Sequence, residues 1–171
     1  MAANPNRPQL VAVDANVLFD LANGLDGMVE AVSVIRKRLH DTRFLIPPIV
    51  QHELANWACR GVGRKREAAR EAVRLSHSWR IYPANLIAVG HGIAERIAVR
   101  IREQSLIPEA EVNDSLVLAE SSLLGCSILL TSGEHLRGID FERLRLELQA
   151  FDVTAPVIAM PREVVRKFFQ R

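Results

Sequence analysis

Cysteine is scarce in this chain. Cys59 and Cys126 are far apart, with no Cys-x-x-Cys pattern and no histidine at zinc-ligand spacing. That excludes a disulfide framework and a thiolate metal site, and it reads as two reduced, largely buried thiols in a reducing compartment. Long apolar runs are lacking too: no stretch reaches the ~18 residues of a membrane span. The start of the chain is polar up to Pro8, and the apolar run after it stops at Asp14, so no secretory signal is expected. The expectation is a cytoplasmic protein with no membrane partner. Charge of one sign is also missing. A formal net charge of +2 creates no global field for a polyanion, so any nucleic-acid argument rests on local clusters.

What is present suits one globular domain. Hydrophobic residues make up 49% of 171 residues, enough to bury a substantial core. There is no internal repeat and no low-complexity segment, so residues 1–171 read as a single domain, with 1–9 a flexible N-terminal tail.

The chain is organised around Leu10-Val11-Ala12-Val13-Asp14-Ala15-Asn16-Val17-Leu18. A short apolar run with β-branched members reads as a strand buried on both faces. Asp14 then sits at its carboxyl end, where open α/β sheets place their ligand crevice. Asn16 is a candidate cap for a helix that Val17 begins and Gly24 closes; the plainer reading is that Asp14 only caps that helix. Met28, Val32, Ile35 and Leu39 follow at helical spacing. Arg43–Ile46 reads as a second strand, and Pro48 suits the first turn of a helix that carries Glu53.

Residues 64–74 form a strong helix, with Arg66, Arg70 and Arg74 four apart on one face. Six basic residues against two acidic ones between Arg60 and Arg74 make a local basic cluster; the alternative is a solvated face laced by ion pairs. Trp79–Tyr82 reads as a third strand. A helix with a buried stripe from Leu86 to Ile101 follows, then one from Asp114 to Leu124 ended by Gly125. Cys126–Leu130 is the fourth strand, leading into Thr131, Ser132, Gly133, Glu134 and His135. Phe151–Thr154 is a candidate fifth, edge strand, and Val164, Val165, Phe168 and Phe169 mark a final helix. Strands alternating with helices imply α/β, a three-layer α/β/α sandwich on a mainly parallel sheet of four to five strands.

Asp14, Glu53 and Asp114 all stand at strand ends or helix starts, which converge on one edge of a parallel sheet. Carboxylates gathered there repel unless a proton or cation offsets them. Hard oxygen ligands select Mg²⁺ or Mn²⁺, and such an ion suits phosphodiester hydrolysis. Asn16, Thr131 and Ser132 are candidates for orienting those carboxylates or their waters. His52 and His135 read as ordinary surface or packing histidines.

Four stretches carry a resemblance: residues 13–18 (VDANVL), 47–54 (PPIVQHEL), 113–120 (NDSLVLAE) and 129–136 (LLTSGEHL). In order and spacing they are similar to PIN-domain ribonucleases, most of all to the VapC-type toxins of bacterial toxin–antitoxin pairs, over roughly residues 10–165. The resemblance implies cleavage of RNA with Mg²⁺ or Mn²⁺ held by Asp14, Glu53 and Asp114, an antitoxin partner and a homodimer. One position departs from it. PIN domains usually carry an aspartate two residues after the threonine of the fourth stretch, and here that residue is Gly133.

Several readings follow from that glycine. Glu134 reaches in as a ligand if Gly133 bends the backbone, or Ser132 holds a metal-bound water. Otherwise the chain is a weakened module that binds RNA or a protein. Residues 14–16 and 129–133 also resemble haloacid-dehalogenase-like phosphatases, although Asn16 replaces their second aspartate. The basic residues Arg64, Arg66, Arg70 and Arg74, with Arg162, Arg166 and Lys167 on the last helix, are candidates to hold RNA phosphates.

Overall fold

The computed structural model describes residues 8–39 and 41–168. Phe169 and residues 1–7 of the expected tail lie outside them, as does the side chain of Phe168; Gln9, assigned to that tail, already belongs to a strand.

Strand β1 (Gln9–Val13) is central, with Val11, Ala12 and Val13 almost wholly buried. Successive strand residues point to opposite faces, so both faces of β1 are covered. Two helices, α1 (Ala15–Ala22) and α2 (Met28–Arg38), lead to β2 (Thr42–Ile46). Helices α3 (Pro48–Arg60) and α4 (Gly63–Leu75) lead to β3 (Ile81–Pro83). Next come α5 (Ala88–Glu103), α6 (Val112–Leu123) and β4 (Ile128–Leu130). A short α7 (Glu134–Arg137), α8 (Phe141–Gln149), β5 (Val157–Ala159) and α9 (Pro161–Phe168) complete the order.

The five strands form one parallel sheet in the order β3-β2-β1-β4-β5, flanked by helices in a three-layer α/β/α arrangement. The chain steps outward from β1 to β3, then returns to lay β4 on the other side of β1. That reversal opens a crevice at the carboxyl ends of β1 and β4, the ligand position of open α/β sheets. Asp14 and Thr131 are the residues that leave those two ends, and the Asp14 N–H donates to the Leu130 carbonyl at 2.9 Å.

Local chemistry accounts for most of the ends. Pro48 sits in the first turn of α3, where its missing N–H costs nothing. Gly24 and Gly125 follow helices with φ of 62° and 73°, the left-handed conformation that glycine adopts without strain.

Three expectations are corrected. Asn16 is not the cap of α1: the helix starts at Ala15, and Asp14 caps it by accepting the Ala15 N–H. The fifth strand is Val157–Ala159, not Phe151–Thr154. Phe151 and Val153 instead donate to the Leu148 carbonyl as the chain wraps the end of α8, with Asp152 at a φ of 56°. Cys126 is buried, but Cys59 is exposed, because the end of α3 that carries it turns Asn56, Cys59 and Arg60 to solvent.

Candidate metal centre at the sheet edge

Asp14 is the buried member, with a relative exposure of only 3%. Its Oδ1 accepts the Ala15 N–H at 2.7 Å, and its Oδ2 accepts the Thr131 hydroxyl at 2.6 Å. The exposed Asn16 amide reaches the same Oδ2 at 3.5 Å. Burial pushes the carboxyl up to about 6, against the two hydrogen bonds, and the charges of Asp114 and Glu53 push it further in the same direction. A buried carboxylate with like charges as neighbours is costly to hold in its charged form, and a cation bound there offsets that cost.

Glu53 lies on α3, half-buried. Burial raises its pKa; the Lys65 charge and the Trp57 indole N–H donating to it oppose that, and Asp114 adds to the rise. Lys65 is held in place by its aromatic neighbours: its Nζ lies 3.8 Å from the Trp57 ring centroid and 5.7 Å from that of Phe19, a cation–π geometry. Asp114 is in the first turn of α6. Its pKa is raised by burial and then by Glu111, and lowered by His135. Asp14 thus feels the charges of both Glu53 and Asp114, and Glu53 feels that of Asp114, while the carboxylate that acts on Asp114 is Glu111.

Two residues join the centre that the sequence did not single out. His135 Nδ1 stands 3.5 Å from Glu111 Oε1 and 3.6 Å from Asp114 Oδ2. Glu111 is the N-cap residue of α6, and His135 comes from α7. His135 is therefore not an isolated surface histidine. Its place within the fourth stretch, two residues after Gly133, is the one sequence signal, and Glu111 has none beyond its closeness to Asp114.

The other candidates are more dispersed. Thr131 is buried and orients Asp14 while its Oγ1 accepts the Gly133 N–H at 2.9 Å. Ser132 donates to Asp20 Oδ2 at 3.4 Å. Glu134 starts α7 and is exposed; among the described residues the side chains grouped closely enough to share a cation are Glu111, Asp114 and His135, and Glu134 is not one of them. Gly133 has a φ of −67° and a ψ of 129°, open to any residue, so it does not bend the backbone towards Glu134. A Cβ at Gly133 would stand 3.2 Å from Thr131 Oγ1, 3.6 Å from Asn16 Nδ2 and 4.0 Å from Asp14 Oδ2. The position faces the Asp14 carboxylate without supplying one.

The basic cluster is partly spoken for. Arg74 pairs with Glu71 at 2.6 Å, and Arg70 donates to the Ala58 carbonyl at 3.0 Å. Arg66 is half-buried, with its Nε enclosed and, among the described residues, without a hydrogen-bond partner. Arg64 is exposed beside Lys65. On the last helix, Arg162 donates to the Asp26 carbonyl and packs against Gly27, while Arg166 and Lys167 are exposed.

A family model described as PIN domain matches residues 11–142. No curated protein sequence matches the chain. Among solved structures, VapBC2 from Rickettsia felis, bound to a DNA fragment from their promoter, is similar at 13% identity. It has a TM-score of 0.58, over 89% of this chain and 98% of that one. VapBC-1 from nontypeable Haemophilus influenzae is similar at 14% identity, with a TM-score of 0.57 over 90% and 98%. At such identities the likeness is one of fold.

Proposed function

Because the chain belongs to the PIN-domain family, we propose that it is a divalent-metal-dependent endoribonuclease and the toxin of a toxin–antitoxin pair. The observation that carries the reading is Asp14, a carboxyl buried at the topological reversal of the sheet, with the charges of Glu53 and Asp114 directed at it. The donors are carboxylate oxygens, which fit Mg²⁺ or Mn²⁺. Asp14, Glu53 and Asp114 would hold the ion. Once bound, it supplies an activated water and neutralises a phosphodiester oxygen.

The protein's own residues prepare the rest. Thr131 fixes the orientation of Asp14. Lys65, held against Trp57 beside Glu53, offers a positive charge to a phosphate at the rim, and Arg64 extends it. The fold shared with two structures named VapBC supports a cognate antitoxin as partner. A homodimer and a cytoplasmic location complete the proposal. The likeness of residues 14–16 and 129–133 to phosphatases is set aside, since the family match spans both stretches.

A cleavage assay on RNA with Mg²⁺ or Mn²⁺ tests the reading. Activity should appear only with metal and fall at least ~100-fold in Asp14→Ala, the scale on which losing a charge-stabilising group acts. Gly133→Asp should fold, since its φ of −67° carries no backbone strain and its Cβ, 3.2 Å from Thr131 Oγ1, asks that side chain to shift by only a few tenths of an ångström. It should cut faster and need less metal for half-maximal rate. A wild type and a folded Gly133→Asp that both bind RNA without cutting it would instead establish the non-catalytic binding module.

A further inference from the structure

We propose that Glu111, Asp114 and His135 form a second divalent-cation site, beside the one at Asp14, that takes Mn²⁺ in preference to Mg²⁺. Its use in cutting RNA rests on the nuclease reading above; the binding of the ion does not.

The geometry is that of a site slightly open. One ligand atom from each of the three residues lies within 4.8 Å of the other two, and His135 Nδ1 is 3.5 Å and 3.6 Å from the two carboxylate oxygens. Ligands at about 2.1 Å from an octahedral ion stand about 3 Å apart when adjacent and about 4.2 Å when opposite. Small rotations of three side chains that are at most half-buried close the difference. Glu111 and Asp114 are neighbours at the start of α6 through their spacing, but His135 comes from α7, so the tertiary fold brings the third donor to them.

No arginine or lysine pairs with Glu111 or Asp114 among the described residues; His135 is their partner. An imidazole with two carboxylates is a softer set than oxygens alone. Nitrogen donors favour Mn²⁺ over Mg²⁺, which is reluctant to exchange water for imidazole. The position also makes chemical sense beside Gly133. That residue faces Asp14 without a carboxylate, and His135, two residues further on, brings a ligand from the start of α7. Since a carboxylate has two oxygens, Asp114 can serve both ions.

The experiment is a MnCl₂ titration of the untagged chain, counting bound ions, with pulsed paramagnetic resonance to detect nitrogen coupled to bound Mn²⁺. The wild type should hold two ions, one of them nitrogen-coupled. His135→Gln should hold one and lose the nitrogen signal, and Glu111→Gln should weaken the nitrogen-coupled ion at least tenfold. Asp14→Asn should lose the other ion and keep the nitrogen signal. Mg²⁺ should displace the uncoupled ion first. Melting curves confirm folding; the His135 and Glu111 changes lie outside the core, and Asp14→Asn keeps an acceptor for the Ala15 N–H at the cap of α1.

Equal stoichiometry in wild type and His135→Gln, or a wild type with no nitrogen coupling, would overturn the second site and leave a surface ion pair of histidine with carboxylates. In that case a single ion lost in Asp14→Asn leaves the nuclease reading standing. A wild type that binds no Mn²⁺ would overturn both.

Discussion

Asp14 does two things with one carboxylate. One oxygen caps α1, and the other is aligned by Thr131 beneath the acidic centre. The cap and the candidate ligand, set against each other in reading the sequence, are the same residue. Its position has a cost. With the carboxyl pushed up from 3.8 to about 6, the folded chain binds this proton more tightly than the unfolded chain does. Stability without metal therefore falls as the pH rises from about 4 through about 6, and it stays lower above that. A shift of this size corresponds to about 3 kcal/mol, or several degrees in Tm for a chain of this length. Glu53, Asp114, Asp20 and Glu120 are shifted in the same direction, so the comparison has to isolate Asp14. We expect Asp14→Asn, without metal at pH 7.5, to melt above the wild type, and the gap to close towards pH 4. Mn²⁺ should then raise the Tm of the wild type more than that of the variant. A gap that does not change with pH would mean Asp14 is not the strained group.

Among the elements, α3 is the one whose placement decides the centre, because it carries Glu53 and Trp57. It has no side-chain cap of its own, and Pro47 occupies the N-cap position. The cap comes from a distance: buried Glu120 on α6 accepts the Ile49 N–H through Oε2 at 2.7 Å. Glu120→Ala should cost about 1–2 kcal/mol, the worth of a helix cap, read as a Tm lower by roughly 3–6 °C. Glu120→Gln, which keeps an acceptor, should cost less, and equal losses in the two variants would count against capping. The sequence reads clearly where an element has strong local chemistry, as in the apolar run of β1, Pro48 at the start of α3 and Gly125 after α6. It reads poorly where the element is short or the contact distant. Val157–Ala159 is three residues at an edge, too few to show a period, while Phe151–Thr154 has strand-like side chains but wraps a helix end. Helix α8 carries a signature of its own: Asp140 caps it by accepting the Glu142 and Arg143 N–H groups, and Leu144 and Leu148 are buried one turn apart. Glu111 and His135 meet only in the folded chain, so no spacing rule brings them together.

For the whole molecule, the question is how a nearly neutral protein with a negative centre attracts a polyanion. The net charge of +2 gives little long-range steering, so the positive rim around the acids has to do it. The structure sorts that rim. Arg74 is neutralised by Glu71, Arg70 is tied to the end of α3, and Arg162 holds the loop before α2 to α9. Arg64 and Lys65 instead line a cleft with Phe19, Asn23, Leu25 and Ala68, and Lys65 is directed along the Trp57 ring towards Glu53. Phosphate binding is therefore expected at the start of α4, not along its whole length. Each phosphate contact on a single strand contributes about −0.7 to the slope of log affinity against log salt. RNA binding can be measured in Ca²⁺, a hard oxygen-seeking cation like Mg²⁺, with Asp14→Asn as background to suppress cleavage. Arg64→Glu with Lys65→Glu should weaken affinity and flatten the slope by about 1.4, the share of two phosphate contacts. Arg74→Glu should leave the slope nearly unchanged, since its guanidinium is already paired with Glu71. If the Arg74 variant flattens the slope as much as the pair does, the strand runs along the helix face, and the rim at Lys65 is not where the RNA enters.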